Sequence, residues 1–291
     1  MHNYKVVGEK PVDIIIEMGL GSCISEWIPM TELLKENHGV LLYERAGINK
    51  SDASIDERTP HNIAIELFQL LKKINHSEKV IIIAHSQGGL YAQLFCRLYS
   101  YMVKGLILID PLSARDNTFK ESLSKKEYKK SGVDKSGNFK IMKILSKLRL
   151  GFISKMILKN APPLYYCSYY SQEQINEILS CADNVLHAST ALEEYTRAHD
   201  PKNLNELVIK NGFPDIPLIL ITHSSELAIE ENIKFGGNSR EFAMKIESIW
   251  QEIMKDYLGY SKKSQWIQAT KSTHYIHLQE PKLIVDALEK I

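Results

Sequence analysis

The run Lys79-Val-Ile-Ile-Ile-Ala-His85-Ser86-Gln87-Gly88-Gly89-Leu90 organises the reading of this 291-residue chain. β-Branched residues lead into a serine with small neighbours, and a helix-forming stretch, Leu90 to Tyr99, follows. That pattern predicts a strand, a sharp turn and a helix, with one hydroxyl raised at the apex. Strand and helix nearly touch in such a turn, so the positions two before and two after the serine must be small. Ala84 and Gly88 occupy them. The helix start directs free N–H groups and its positive dipole end at the apex. Ser86 is therefore read as an activated nucleophile.

Further apolar runs extend the pattern outward. Val12 to Glu17, Gly39 to Tyr43, Val80 to Ala84, Gly105 to Ile109, Pro217 to Thr222 and Gln265 to Ala269 read as strands buried on both faces. Helical patterns lie between them, among them Ile63 to Ile74, Glu241 to Tyr257 and Lys282 to Ile291. This alternation predicts an α/β fold: a mostly parallel central sheet with helices on both faces. After Ile109 no strand-like run appears until Pro217, and the interval is helical, rich in Lys and Tyr. It is read as a helical lid (113–207) inserted between two strands of a core formed by 1–112 and 208–291.

Ligands in parallel sheets sit at the carboxyl ends of the strands, so the residues after each run carry the chemistry. After the first long strand comes Glu17-Met-Gly19-Leu20-Gly21-Ser22, where glycines let the backbone approach a ligand. The N–H of Leu20, paired with that of Gln87, is a candidate oxyanion hole. The loop Tyr43 to Asp52 at the same edge is assigned a structural task, ordering the backbone under the pocket. After the last strand, His274 comes first and can relay the serine proton. His277 is read as a packing or capping residue. His85 is rejected as the base because neighbours on a tight elbow point in different directions. Two carboxylates could orient His274: Asp110, ending one strand, and Glu226, after the next. Asp110 is preferred because a short side chain at an abrupt strand end is better fixed than a glutamate on a loop.

A formal net charge of +1 gives no general pull toward nucleic acid. No stretch approaches the roughly 18 apolar residues of a membrane span, and Met1 to Lys5 lacks the apolar core of a secretory signal. Cys23, Cys96, Cys167 and Cys181 show no metal-ligand spacing and read as reduced thiols. The expectation is a cytoplasmic enzyme with no metal site.

With these residues in place the chain resembles the α/β-hydrolase superfamily outside the lid. The order Ser86, acid, His274 is the order used there. Tyr43-Glu-Arg-Ala-Gly-Ile-Asn-Lys-Ser-Asp52 is similar to its Y-D-R-x-G-x-G-x-S-D loop, and His274-Tyr-Ile-His-Leu-Gln-Glu-Pro281 to its terminal motif. Ala84, Thr273 and Asn49 replace glycines of the family pattern; Asn49 suits a left-handed backbone. Glu226 falls where other members keep their acid. Relatives that open epoxides or remove halogen attack with a carboxylate at the elbow, whereas here a serine stands. The resemblance implies serine chemistry through an acyl-enzyme, with no cofactor, on a small, moderately hydrophobic ester or other acyl substrate. A thioesterase, acyltransferase or C–C hydrolase would use the same three residues, and a ligand-binding relative without turnover is the alternative outside catalysis.

From Lys120 to Lys159 there are twelve Lys or Arg against three acidic residues, with Ile141, Met142, Ile144, Leu145, Leu148, Phe152, Ile153, Met156 and Ile157 near helical spacing. Such a segment can cover the pocket with its apolar face or lie on an anionic membrane. The first is preferred, as a lid is expected here. Tyr165, Tyr166, Tyr169 and Tyr170 are expected to line the pocket or to pack within the lid.

Overall fold

The computed structural model describes residues 1–203 and 212–291. Seven strands form one sheet: β1 (Tyr4–Val7), β2 (Val12–Glu17), β3 (Gly39–Tyr43), β4 (Val80–His85), β5 (Val103–Ile109), β6 (Leu218–Thr222) and β7 (Ser264–Gln268). Their order is β1-β3-β2-β4-β5-β6-β7, and β1 runs antiparallel beside β3 while the other pairings are parallel. The six expected strands agree with the observed ones to within two residues. The additional strand, β1, is a short, largely exposed edge. β7 departs from the expectation of burial on both faces, being only half-buried at the opposite edge.

Period-two alternation sends neighbouring side chains into two different cores. Ile15, Leu41, Ile82, Leu106, Leu108 and Leu220 face one layer. It is closed by α2 (Pro60–Lys73), α3 (Gly88–Leu98) and the helix Arg240–Lys255, through residues such as Leu67, Phe95 and Met254. Ile14, Ile16, Leu42, Ile83, Ile109 and Ile221 face the other, under α1 (Ile24–Glu32) and the last helix, Pro281–Leu288, which contribute Trp27 and Ile284. Both faces of the central strands are thus removed from water, which is why their sequences read as continuous apolar runs.

The order of strands reverses between β2 and β4, the place where a parallel sheet opens a crevice. Register finishes the placement: Glu17 pairs with Ala84, His85 with Ile109, and Ile109 with Ile221. Gly19, Ser86, Asp110 and His223 therefore leave the sheet at one edge.

Between β5 and β6 the described residues form helices and no strand. Phe119 and Leu123 still belong to the main core. Beyond them lie Lys125–Lys130, Ser136–Lys147, Gly151–Leu158, Gln172–Ser180 and Val185–Ala198. The expected lid limit at 207 lies outside the described residues.

Phe95, fully buried in the larger core, gives a direct check on this packing. Phe95→Ala is expected to lower unfolding free energy by about 3–5 kcal/mol in urea denaturation; a loss under about 1 kcal/mol would contradict it.

Candidate active site

Ser86 has φ +53°, the left-handed region that a non-glycine residue enters only under constraint. The constraint is hydrogen bonding on both sides of the residue. Its N–H donates to Ile109 O (3.0 Å), and its carbonyl accepts from Gly89 N–H (3.0 Å) and Leu112 N–H (2.8 Å). A Cβ at Gly88 would lie 2.4 Å from Glu17 O, so helix and neighbouring strand do nearly touch. A Cβ at Gly19 would lie 3.3 Å from Ser86 Cβ, which brings the Gly19–Leu20 turn against the serine. Among the described residues neither the Leu20 nor the Gln87 N–H is engaged by a hydrogen-bond acceptor. Gln87 heads α3 and is buried.

Asp110, at the end of β5 with φ +46°, is buried. Its Oδ2 lies 2.6 Å from His274 Nδ1. Ser86, Asp110 and His274 line one cavity of about 100 Å³, with Phe119, Trp250 and Met254 among its apolar walls. Glu226 goes elsewhere. The loop expected around it is the first turn of a helix, Ser225–Gly236, where Glu226 is exposed and paired with Arg240 at 2.5 Å. Of the two candidate acids, the fold brings Asp110 to the imidazole.

His85 and His277 are both used structurally. His85 Nε2 lies 2.9 Å from His274 O, and its ring is 4.5 Å from the His274 ring. Burial, reinforced by His274, holds the His85 imidazole well below the ordinary histidine range. His277 stacks on Trp27 at 4.0 Å, and burial pushes it down to about 3. Neutral, packed rings thus brace the loop that carries His274.

Three features escaped the sequence reading. His223, following β6, donates its backbone N–H to Asp110 Oδ1 (3.0 Å), and its Nδ1 lies 2.8 Å from the same oxygen. Its Nε2 meets Glu247 Oε2 at 2.9 Å. Burial acts to lower its pKa, yet Asp110 and Glu247 outweigh that and raise it to about 10, so the ring is an imidazolium at neutral pH. Burial would conversely raise Asp110, but His223 and His274 hold it far below the usual carboxylate range. No periodicity signals His223; only the pairing of β5 with β6 brings it to Asp110.

The second feature is Arg45, in the loop assigned a structural task. Its guanidinium donates to Met18 O (2.6 Å) and Gly19 O (2.9 Å), fixing the turn that presents Leu20. It also pairs with Glu17 (2.8 Å) and with Glu194 of the helix Val185–Ala198 (2.9 Å), all buried. Burial, opposed by Arg45, pushes the Glu17 carboxyl up to about 7. Third, Asp116 lines the Ser86 cavity, and its Oδ2 has no hydrogen-bond donor, with His199 Nε2 3.5 Å away.

The lid differs from expectation. Ile141, Ile144, Leu148, Phe152, Met156 and Ile157 do not cover the cavity; they are exposed to solvent. Their helices dock through other faces, as the buried Ser146 hydroxyl, donating to Ala182 O (2.7 Å), illustrates. Nor do the four tyrosines line the Ser86 cavity. Tyr170 donates to Glu26 O (2.9 Å), Tyr169 to Leu278 O (2.5 Å) and Tyr166 to Glu231 (2.9 Å), tying lid to body. Among the described residues, no group of three His, Cys, Asp or Glu could hold a metal ion, and no helix is long and apolar enough to cross a membrane.

Comparison with known proteins agrees with this architecture. Residues 14–130 match the family described as alpha/beta hydrolase fold. A Bacillus subtilis protein, the "Uncharacterized protein YqjL", is 23% identical over 97% of this chain and 84% of its own length. A proline iminopeptidase of Saccharolobus solfataricus is 29% identical over 40% of this chain and 39% of its own. Among solved structures, a putative epoxide hydrolase from Pseudomonas aeruginosa superposes with a TM-score of 0.71 at 12% identity, covering 99% of this chain and 90% of that one. A thermophilic esterase from Thermogutta terrifontis gives 0.65 at 15% identity, covering 99% and 92%.

The raised pKa of His223 has a thermodynamic consequence. Its protonated ring contributes stability that is fully present below about pH 6.5 and is lost as pH rises through about 10. Between pH 7 and 10 the wild-type unfolding free energy should fall more steeply than that of His223→Gln, by up to about 1.4 kcal/mol per pH unit. Parallel pH profiles in urea titrations would exclude a charged His223.

Proposed function

We propose that this chain, which belongs to the α/β-hydrolase superfamily, is a serine hydrolase cleaving carboxylic ester or related acyl bonds through an acyl-enzyme. The observation that carries the reading is the 2.6 Å contact of Asp110 with His274 Nδ1, in a cavity that also holds Ser86. With Nδ1–H donated to Asp110, the His274 lone pair is on Nε2, the nitrogen that takes a proton from a nucleophile. Ser86 Oγ then attacks the acyl carbon, and His274 passes the proton to the departing alkoxide. Water, activated by the same imidazole, releases the acid. The oxyanion is received by the N–H groups of Leu20 and Gln87, each worth about 2.7–4 kcal/mol of barrier in comparable sites. Their availability, and the start of α3 behind Gln87, support that assignment.

Substrate size follows from the cavity. About 100 Å³ is well below the volume that encloses a drug-sized ligand, so a short acyl group suits it. Phe119, Trp250 and Met254 favour an apolar chain. The likeness to an esterase supports acyl chemistry. A serine at the elbow separates the chain from relatives that attack with a carboxylate.

The test is a series of p-nitrophenyl esters of increasing chain length. Short esters should be preferred. Ser86→Ala should abolish turnover and fluorophosphonate labelling, and Asp110→Asn should lower kcat by roughly 10³–10⁴-fold. Glu226→Gln should remain within about twofold of wild type. Full activity in Ser86→Ala, or a larger loss in Glu226→Gln than in Asp110→Asn, would refute the assignment.

A further inference from the structure

The lid exposes an unusual surface. Ile141, Ile144, Leu148, Phe152, Met156 and Ile157 are each 56–65% exposed. Ile141 and Ile144 sit three apart on the helix Ser136–Lys147, and Leu148, seven after Ile141, continues their line at the helix end. Phe152 and Met156 repeat the pattern, four apart, on Gly151–Leu158. Leu150, in the turn between the two helices, is also exposed.

The charge around them has one sign. Residues 135–159 contain Lys135, Lys140, Lys143, Lys147, Arg149, Lys155 and Lys159, and no Asp or Glu. Among the described residues only Lys155 of these seven forms an ion pair, with Asp183. At 3.6 residues per turn, Lys140, Lys143 and Lys147 fall together about 100° round the helix from the apolar stripe. The third face, with Phe139 and the buried Ser146, turns inward; Phe139 lies 3.6 Å from where a Gly21 Cβ would stand. The helix thus has an inner face on the body, an exposed apolar stripe and a cationic flank.

We propose that this face of the lid docks on an anionic lipid bilayer. Contiguous large apolar side chains left in water mark an interaction site, and cations beside them select a surface that is negative outside and apolar within. A second copy of the chain fits less well. A two-fold contact through this face would set the unpaired cations of one copy against those of the other. The area is also helical, and its helices are too short to span a bilayer, which suits insertion at headgroup depth. The proposal does not depend on the hydrolase reading, because docking is measured without turnover.

The experiment is co-sedimentation of the full chain with vesicles of phosphatidylcholine alone or with phosphatidylglycerol, at low and high salt. Binding is expected only to the anionic vesicles, weakening as salt screens the cations. Phe152→Ser combined with Met156→Ser should reduce the partition coefficient by about tenfold. Lys143→Glu combined with Lys147→Glu should reduce it at least about twentyfold. Circular dichroism and hydrolysis of a water-soluble ester should be unchanged in both variants. No binding to anionic vesicles at low salt would overturn the proposal, as would binding unaltered by either pair. So would a dimer in light scattering that Phe152→Ser with Met156→Ser dissociates, since that assigns the face to self-association.

Discussion

One carboxylate, that of Asp110, fixes the edge on which the candidate site is built. It accepts from the backbone and ring of His223 and from the ring of His274, and so links the ends of β5 and β6 to the loop after β7. Burial alone would make such a carboxylate neutral and useless as an orienting acceptor. The His223 imidazolium prevents this, and Glu247 balances the imidazolium from the helix behind. The charges alternate along Glu247, His223 and Asp110, so each is compensated within hydrogen-bond reach. Removing one member of such a set costs more than the whole set contributes. This explains why the second histidine is as deeply placed as the acid it serves.

Arg45 performs the corresponding task on the other side of Ser86. It holds two successive carbonyls, of Met18 and Gly19, and because each trans peptide sets its N–H opposite its C=O, the following N–H groups are directed away from the guanidinium. The same guanidinium takes Glu194 from the lid, so the candidate oxyanion turn and the inserted helices share one buried cation. Arg58 extends the set by pairing with Glu194 at 3.1 Å and with Glu66. A lid anchored this way is not a loose flap over the pocket. Its position and the geometry of the turn are determined together, and Arg45 is a positioning residue for both.

The strands, the elbow and the histidine were legible because each is a local pattern. Ile14 to Ile16 and Ile81 to Ile83 announce strands covered on both faces, and Ala84 and Gly88 announce the turn at Ser86. That Asp110 rather than Glu226 lies against the His274 ring was also readable, from the stiffness of a strand end against a longer side chain. Long-range facts were not. His223 follows an apolar run as any loop residue does, and its pairing depends on which strand lies beside β5. Glu194 sits in a helix whose sequence gives no sign that one acidic residue turns inward. The apolar positions of the lid were recognised, but periodicity states only that a helix has two faces, not which one meets the protein. Phe139 and Ser146 took the inner face, and the more apolar one was left outside.

That outcome bears on how substrate would arrive. The inner face of the helix Ser136–Lys147 reaches the glycine turn near Ser86, while its outer stripe meets solvent. If the outer stripe rests on lipid, the body of the enzyme is held with its lid toward the apolar phase. Moderately hydrophobic esters partition into that phase and are scarce in water. Were such esters the substrates, the small, apolar-walled cavity would gain little from binding them tightly out of water, since the hydrophobic contribution scales with the area it can cover. Concentrating them at a surface on which the lid rested would compensate for that limited area. The exposed stripe and the small cavity are then two parts of one arrangement, with Arg45 and Glu194 as the rigid link between them.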